Sequence, residues 1–96
     1  MIPSDKDLDN MLTILKMLQD KTRLKIVFAL MNSNKCVGEL VEIVGKSQSA
    51  ISHQLQDMKQ SKLIVSEKKG NKVIYSIADD HVKKVVKMCL VHAQEF

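Results

Sequence analysis

Two pairs of side chains that can bind metal lie near the C-terminus. Asp79 and His81 form the first pair, and His92 and Glu95 form the second. On a helix, His81 and His92 are about three turns apart and lie on nearly the same face. The two pairs would then be separated by roughly 16 to 24 Å, so one chain cannot bring all four side chains to a single ion.

An antiparallel copy of the same helix would bring the pairs together. A twofold axis near Val85 to Met88 sets the first pair of each chain against the second pair of the other chain, twice per dimer. Each site then offers two imidazole nitrogens and two carboxylate oxygens, which suits tetrahedral Zn(II) or, by the same geometry, Co(II). The alternative is that these residues are an N-cap and solvated helix ends.

A second set of chemically distinctive side chains lies between Ser47 and Gln60. On a helix, Ile51, Leu55 and Met58 form one apolar face. The opposite face carries short, neutral side chains that donate and accept hydrogen bonds: Gln48, Ser49, Ser52, His53 and Gln56. Such groups read base edges in the major groove. We therefore predict a recognition helix, with Ser47 included in its DNA-binding set. A polar surface helix without this role is the alternative.

Basic residues flank this helix and follow it. The lysines predicted to contact phosphates are Lys46, Lys59, Lys68, Lys69 and Lys72. Strands are predicted over Leu63 to Lys69 and Lys72 to Ile77, because Gly70-Asn71 between them suits a two-residue hairpin turn. A basic hairpin directly behind a helix-turn-helix is the wing of a winged helix, whereas a solvated loop tip is the alternative.

The remaining elements position these groups. A first amphipathic helix contains Leu8 to Leu18, Asp20 caps a second that runs to about Met31, and Gly45 suits the C-terminal position of a third. The last helix begins at Asp79. The residues predicted to face the core from the second and third helices are Leu24, Val27, Phe28, Met31, Val37, Leu40, Val41 and Val44. The predicted fold is a mainly α winged helix-turn-helix with one β-hairpin, in a single domain over residues 1–96.

Composition narrows the function classes. The chain has 96 residues, 45% of them apolar, and a formal charge of +4, which is typical of one small globular domain and fits a polyanionic partner. No apolar run suggests a signal peptide or a membrane span, and two distant cysteines without a CxxC motif favour a reducing, cytoplasmic location. Without an HExxH motif, a nucleophile–base pair or a phosphate loop, an enzyme is not expected.

Several stretches together resemble the ArsR/SmtB family of winged-helix repressors. They are Asp20 to Ile26, Cys36 to Leu40, Ser47 to Leu55, Gly70 to Ser76 and the last helix. The resemblance implies a homodimer whose first and last helices form the interface. It also implies binding to an inverted-repeat operator and repression of metal-export or resistance genes, relieved when a ligand weakens the DNA complex.

The metal pattern of that family also has a counterpart here. Its last-helix sites use Asp-x-His followed by His-x-x-Glu, and Asp79, His81, His92 and Glu95 match in type and spacing. The resemblance therefore implies Zn(II), or Co(II), as the regulatory ligand. We expect a hydrogen bond from His92 to a backbone carbonyl near Lys62 to link the metal site to the recognition helix.

The cysteines support an alternative function. The family's soft-metal site needs Cys-Val-Cys, whereas this chain has Cys36-Val37-Gly38, so Cys36 is predicted to be a small buried apolar residue. A thiol or persulfide sensor of the same fold could use Cys36 and Cys89 instead. Cys89 is predicted to face toward the core, which argues against this. A DNA-binding dimer without any effector is a further alternative.

Overall fold

The computed structural model describes all 96 residues as five helices and one β-hairpin. In chain order the elements are α1 (Asp5–Met17), α2 (Lys21–Asn32), α3 (Val37–Val44), α4 (Gln48–Gln60), β1 (Ile64–Lys69), β2 (Lys72–Ile77) and α5 (Asp80–Ala93). None of the helices combines the length and apolar character needed to cross a bilayer. The order of the elements confirms the predicted winged helix-turn-helix.

Short polar side chains begin four of the five helices. Ser4, Asp20, Ser47 and Asp79 each accept a hydrogen bond from the backbone N–H three residues on, at 3.0–3.2 Å. These bonds satisfy donors that a helix start leaves free, and they confirm Asp20 and Asp79 as N-caps. At the start of α3, the Cys36 backbone N–H donates to Glu39 Oε1 at 3.1 Å. This bond is the main reason why the pKa of Glu39 lies below its usual value.

The core lies between α2, α3, α4 and the hairpin, and α5 adds one residue to it. Its members are Ile26, Val27, Leu30, Leu40, Val44, Ile51, Leu55, Met58, Leu63, Ile64, Ile77 and Val86. The predicted apolar face of α4 is confirmed, because Ile51, Leu55 and Met58 are fully buried.

The prediction for the buried face of α2 was wrong in part. Phe28 is 36% exposed, whereas Ile26 and Leu30 are buried in the core beside Val27. The helix has two apolar faces, and Phe28 and Leu24 line a groove toward α1 and α5 instead. Periodicity alone detects an apolar face but does not say which neighbouring element covers it.

The hairpin has a two-residue turn at Gly70-Asn71. Gly70 has a φ of 63°, and Asn71 has no positive φ, which is the pattern of a type II′ turn. Ile64 pairs with Ile77 in the antiparallel register. The alternation predicted for β2 is confirmed in part. Tyr75 lies on the same face of the hairpin as Ile77 and packs against the core, whereas Val73, the third residue of the predicted face, is 39% exposed near the tip.

α4 ends in a Schellman motif with lysine at the position usually taken by glycine. The N–H of Leu63 donates to Met58 O at 3.0 Å, and that of Lys62 donates to Lys59 O at 3.1 Å. Lys62 has a φ of 65° and is the only non-glycine residue with a positive φ. Leu63, predicted to begin β1, belongs to this helix end, and its carbonyl accepts the Ala78 N–H at 3.0 Å.

Lys35 fastens α2 to the hairpin. It is only 6% exposed, and its Nζ donates to Ala29 O, Ser33 O and Ser33 Oγ at 2.6–3.0 Å. A cation is favourable at the C-terminus of a helix, where carbonyl groups lack partners. The backbone of Lys35 also exchanges two hydrogen bonds with Tyr75 in β2.

Candidate DNA-binding surface and metal-binding pairs

A three-residue turn joins α3 to α4. Gly45 adopts a φ of 77°, and its N–H donates to Val41 O at 2.9 Å. Lys46 follows, and Ser47 then begins α4 by accepting the Ala50 N–H. A turn of this length containing glycine is typical of a helix-turn-helix. Because α4 buries one face in the core, its opposite face is turned to solvent.

The exposed face of α4 carries every residue predicted to read bases. Gln48, Ser49, Ser52, His53 and Gln56 are all exposed. Ser47 is exposed too, but its Oγ accepts the helix-capping bond and lies 3.3 Å from Ser49 Oγ. The hydroxyl of Ser47 therefore stabilises the helix start, and only its remaining hydrogen-bonding capacity is available to DNA.

The predicted phosphate-binding lysines are also exposed. None of Lys46, Lys59, Lys68, Lys69 and Lys72 forms an ion pair with a carboxylate. Lys69 and Lys72 are direct cross-strand partners at the hairpin tip. Like charges opposite each other destabilise a hairpin, so an anion bound at this tip would offset the repulsion between the two lysines.

One part of this surface had no counterpart in the sequence prediction. Arg23 of α2 reaches α4, where its Nε donates to Gln54 Oε1 at 2.5 Å and its Nη2 lies 3.8 Å from Asp57 Oδ2. His53 Nδ1 lies 3.6 Å from the same carboxylate oxygen. No local spacing signals these contacts, because Arg23 and Gln54 are 31 residues apart in the chain.

The two predicted metal-binding pairs are each assembled within one chain. Asp79 Oδ1 lies 3.3 Å from His81 Nδ1, and His92 Nδ1 lies 3.8 Å from Glu95 Oε1. Two ligands of a tetrahedral ion are about 3.4 Å apart when each bond is about 2.1 Å. The first pair has this spacing and the second pair is wider, while both offer the nitrogen and oxygen donors that Zn(II) accepts.

The single chain does not join the two pairs. No three His, Cys, Asp or Glu side chains lie close enough to hold one ion. Each pair is exposed, with the His81 and His92 side chains 88% and 79% accessible. Two ligands do not complete a tetrahedral shell, so a four-ligand site requires a second molecule.

The first pair adjoins the end of α4. Asp79 and His81 line a polar cleft together with Gln60, Ser61 and Lys62, and α1 supplies the opposite wall. Asp79 Oδ1 also accepts the Val82 N–H, so this carboxylate both caps α5 and faces the cleft.

Apolar side chains on α1 and α5 remain uncovered. α1 has no buried residue, and α5 has only Val86. Leu12 and Met88 are 62% and 69% exposed. Patches of this kind on a small domain indicate an interaction surface.

The burial predicted for the two cysteines was wrong. Cys89 is exposed in the single chain and lines the groove between α1, α2 and α5 rather than the core. Cys36 is half-buried at the start of α3 rather than enclosed in the core. Both thiols are free.

Comparison with known proteins identifies the family. Residues 20–66 match the sequence model of a protein family that is described as "Bacterial regulatory protein, arsR family". A transcriptional repressor SmtB homolog from Synechocystis is 36% identical over 78 residues, which are 81% of this chain and 59% of that protein. A cadmium resistance transcriptional regulatory protein CadC homolog from Staphylococcus aureus is 34% identical over 83 residues, 85% of this chain and 69% of that protein.

A solved structure agrees with this family. The homodimeric winged helix-turn-helix DNA-binding domain of a Mycobacterium bovis protein superimposes with a TM-score of 0.89 at 26% identity, covering 97% of this chain and 89% of that one. The relatives are transcriptional regulators rather than enzymes, as predicted for this chain. The chain therefore belongs to the arsR family of bacterial regulatory proteins.

Proposed function

We propose that the chain is a metal-responsive transcriptional repressor. A homodimer binds an inverted-repeat operator, and Zn(II) binding at the dimer interface releases the DNA, which derepresses metal-export or resistance genes. The observation that carries this proposal is that each end of α5 has one carboxylate beside one imidazole, 3.3 Å apart at the first end and 3.8 Å apart at the second. The names of the relatives, a repressor and a cadmium resistance regulator, support it.

Base recognition is assigned to the exposed face of α4. Gln and Ser side chains there would contact base edges in the major groove, with Gln suited to adenine. The exposed lysines of the turn, the end of α4 and the hairpin tip would contact phosphates, which position the protein on the duplex. His53 belongs to this surface, and its ring lies beside Asp57.

The dimer is assigned to α1 and α5, whose apolar residues have no cover within the chain. If the two α5 helices lie antiparallel about Val85 to Met88, then Asp79 and His81 face the partner's His92 and the partner's Glu95. Four nitrogen and oxygen ligands favour Zn(II), and Co(II) by the same geometry, over softer ions that prefer thiolates. A closed shell of four protein ligands makes the site regulatory rather than catalytic.

A short hydrogen-bonded path joins this site to α4. Asp79 follows Ala78, whose N–H donates to Leu63 O, and the Leu63 N–H donates to Met58 O within α4. Fixing Asp79 would therefore restrain the end of α4 and hold the two recognition helices at a spacing that the operator disfavours. Allosteric couplings are typically about 1–3 kcal/mol, that is, about 5- to 150-fold in affinity.

The hydrogen bond predicted between His92 and the backbone near Lys62 requires the second chain. In one chain His81, not His92, shares a cleft with Lys62. In the antiparallel dimer the partner's His92 would approach this cleft, so the prediction stays a proposal of contact between chains.

The test uses duplex DNA that the wild-type protein selects from a random pool. Fluorescence anisotropy then measures its affinity with and without stoichiometric Zn(II), for wild type, Asp79→Asn, His81→Gln and Asp80→Asn. Asn keeps the N-cap while removing the ligand charge at position 79, and Asp80 is a neighbouring exposed carboxylate outside the pairs.

We expect Zn(II) to weaken DNA binding by wild type and Asp80→Asn about 5- to 150-fold, and to leave Asp79→Asn and His81→Gln unchanged. Equal release of all four proteins, or no effect on wild type, would contradict the role of α5. The thiol-sensing alternative is tested separately, because a Cys36→Ser/Cys89→Ser protein that keeps the Zn(II) response does not need its thiols.

A further inference from the structure

We propose that Arg23, which lies on α2 and outside the predicted DNA-binding face, is a positioning residue that sets the base preference of α4. The inference rests on the proposed DNA-binding function. In this inference, the contacts of the Arg23 guanidinium determine which side chains of α4 can reach the major groove.

Arg23 is held firmly at its own end. Its backbone N–H donates to Asp20 Oδ1 at 3.0 Å, which places it in the first turn of α2. The side chain is 20% exposed and crosses to α4, where it contacts Gln54 and Asp57. These two residues are three positions apart, so one planar guanidinium spans a full turn of the α4 flank.

The contacts make two hydrogen-bonding side chains, those of Gln54 and Asp57, less available to DNA. Glutamine is a side chain that recognises adenine, but Gln54 Oε1 already accepts a hydrogen bond from Arg23 Nε at 2.5 Å. An aspartate can accept from cytosine and repels phosphate, but the cation of Arg23 draws the Asp57 carboxylate to the flank. Gln54 is half-buried at the edge of the core face, three residues after Ile51 and four before Met58, whereas the neighbouring His53 and Gln56 are exposed.

The same carboxylate also positions one predicted reading residue. The His53 side chain is 76% exposed, and its Nδ1 lies 3.6 Å from Asp57 Oδ2. The same Asp57 oxygen lies 3.8 Å from Arg23 Nη2. The imidazole therefore turns its other nitrogen, Nε2, away from Asp57. A change at Arg23 would move Asp57 and with it the ring of His53, although Arg23 itself would touch no base.

The experiment compares base preferences by selection from a random duplex pool, followed by anisotropy on the wild-type site and on a scrambled duplex. The variants are Arg23→Met, which keeps the apolar stem, Arg23→Lys, which keeps the charge without the fork, and Asp57→Asn. Lys25→Met is the matched control, because it removes the same charge from an exposed position on α2 that forms no ion pair.

We expect Arg23→Met to lower the ratio of specific to scrambled affinity about tenfold and to enrich a different base at the positions near Gln54 and His53. Asp57→Asn should shift the same positions, Arg23→Lys should shift them less, and Lys25→Met should keep the wild-type preference. Combining Arg23→Met with Asp57→Asn should add little, because both remove one interaction. Circular dichroism and thermal unfolding verify that each variant is folded.

The outcomes separate this inference from the proposed function. If the wild-type protein enriches no sequence, the proposed function fails. If the wild type selects a site and both Arg23→Met and Asp57→Asn select it with the same affinity ratio, Arg23 only stabilises the fold and the inference is overturned. If Arg23→Met does not fold, Asp57→Asn alone decides between these results.

Discussion

One lysine at the end of α4 occupies a backbone conformation that favours glycine. The left-handed region costs an L-residue roughly 1–2 kcal/mol, and Lys62 is held there by the two hydrogen bonds of the Schellman motif. Burial of Met58 and Leu63 on either side of the turn offsets this cost. Lys62 also lines the cleft that contains Asp79 and His81, and it directly precedes Leu63, which lies on the proposed path between metal and DNA.

At the residue scale, we predict that Lys62→Gly raises the free energy of unfolding. The gain should be about 0.5–1 kcal/mol, because glycine adopts a positive φ without a Cβ clash but loses more entropy on folding. Urea denaturation of wild type, Lys62→Gly and Lys62→Ala measures it. Alanine keeps the clash, so Lys62→Ala should remain close to wild type. Destabilisation by glycine would show that the lysine side chain contributes more than its backbone conformation costs.

At the scale of the element, the hairpin combines a core face with a basic tip. Ile64, Tyr75 and Ile77 lie on the face that packs against the core, and the bridge from Lys35 to Tyr75 ties β2 to the end of α2. The tip extends beyond this support with Lys69 opposite Lys72. A like-charged pair is unfavourable for the isolated hairpin, which is the arrangement expected where the partner is an anion.

Lys69→Gln tests this element. We predict weaker DNA binding and a slope of log affinity against log salt reduced by about 0.9 per protomer, because one phosphate contact and its released counterion are lost. Anisotropy titrations over a range of salt concentrations give the slope. Lys84→Gln is the control, since it removes the same charge from an exposed position on α5 that forms no ion pair. Identical slopes for both variants would place the hairpin tip away from DNA.

At the scale of the whole molecule, one chain is incomplete in two respects. It leaves apolar residues of α1 and α5 exposed, and its two proposed metal-binding pairs lie at opposite ends of α5. A second copy packed antiparallel along α5 would cover the exposed apolar surface. The same contact would bring the first pair of one chain close to the second pair of the other.

A mixed dimer distinguishes shared sites from sites within one chain. His81→Gln and His92→Gln each remove one ligand from both sites of a homodimer. A heterodimer of the two variants loses both histidines from one site and keeps the other site intact. We predict one tightly bound Zn(II) per heterodimer and none per variant homodimer, measured by equilibrium dialysis on differently tagged, co-purified chains. Equal zinc content in all three would contradict ligand sharing between chains.

Much of the fold was predictable because its signals are local. N-caps such as Asp20 and Asp79, the left-handed Gly45, the Gly70-Asn71 turn and the apolar face of α4 depend on residues a few positions apart. The spacing of each metal-binding pair is local as well. The family resemblance also depends on short stretches, and the relatives confirm it.

The sequence by itself therefore determined the order of elements, the exposed face of α4 and the proximity of each carboxylate to its imidazole at the ends of α5, since helix and strand periodicities act over short distances. Only the tertiary structure decided which apolar face of α2 packs into the core. It also decided the burial of Lys35 and the contact of Arg23 with Gln54 on α4. These features depend on contacts between residues distant in the chain. Such packing and charge pairing depend on how the elements are arranged in space, so no local sequence pattern predicts them.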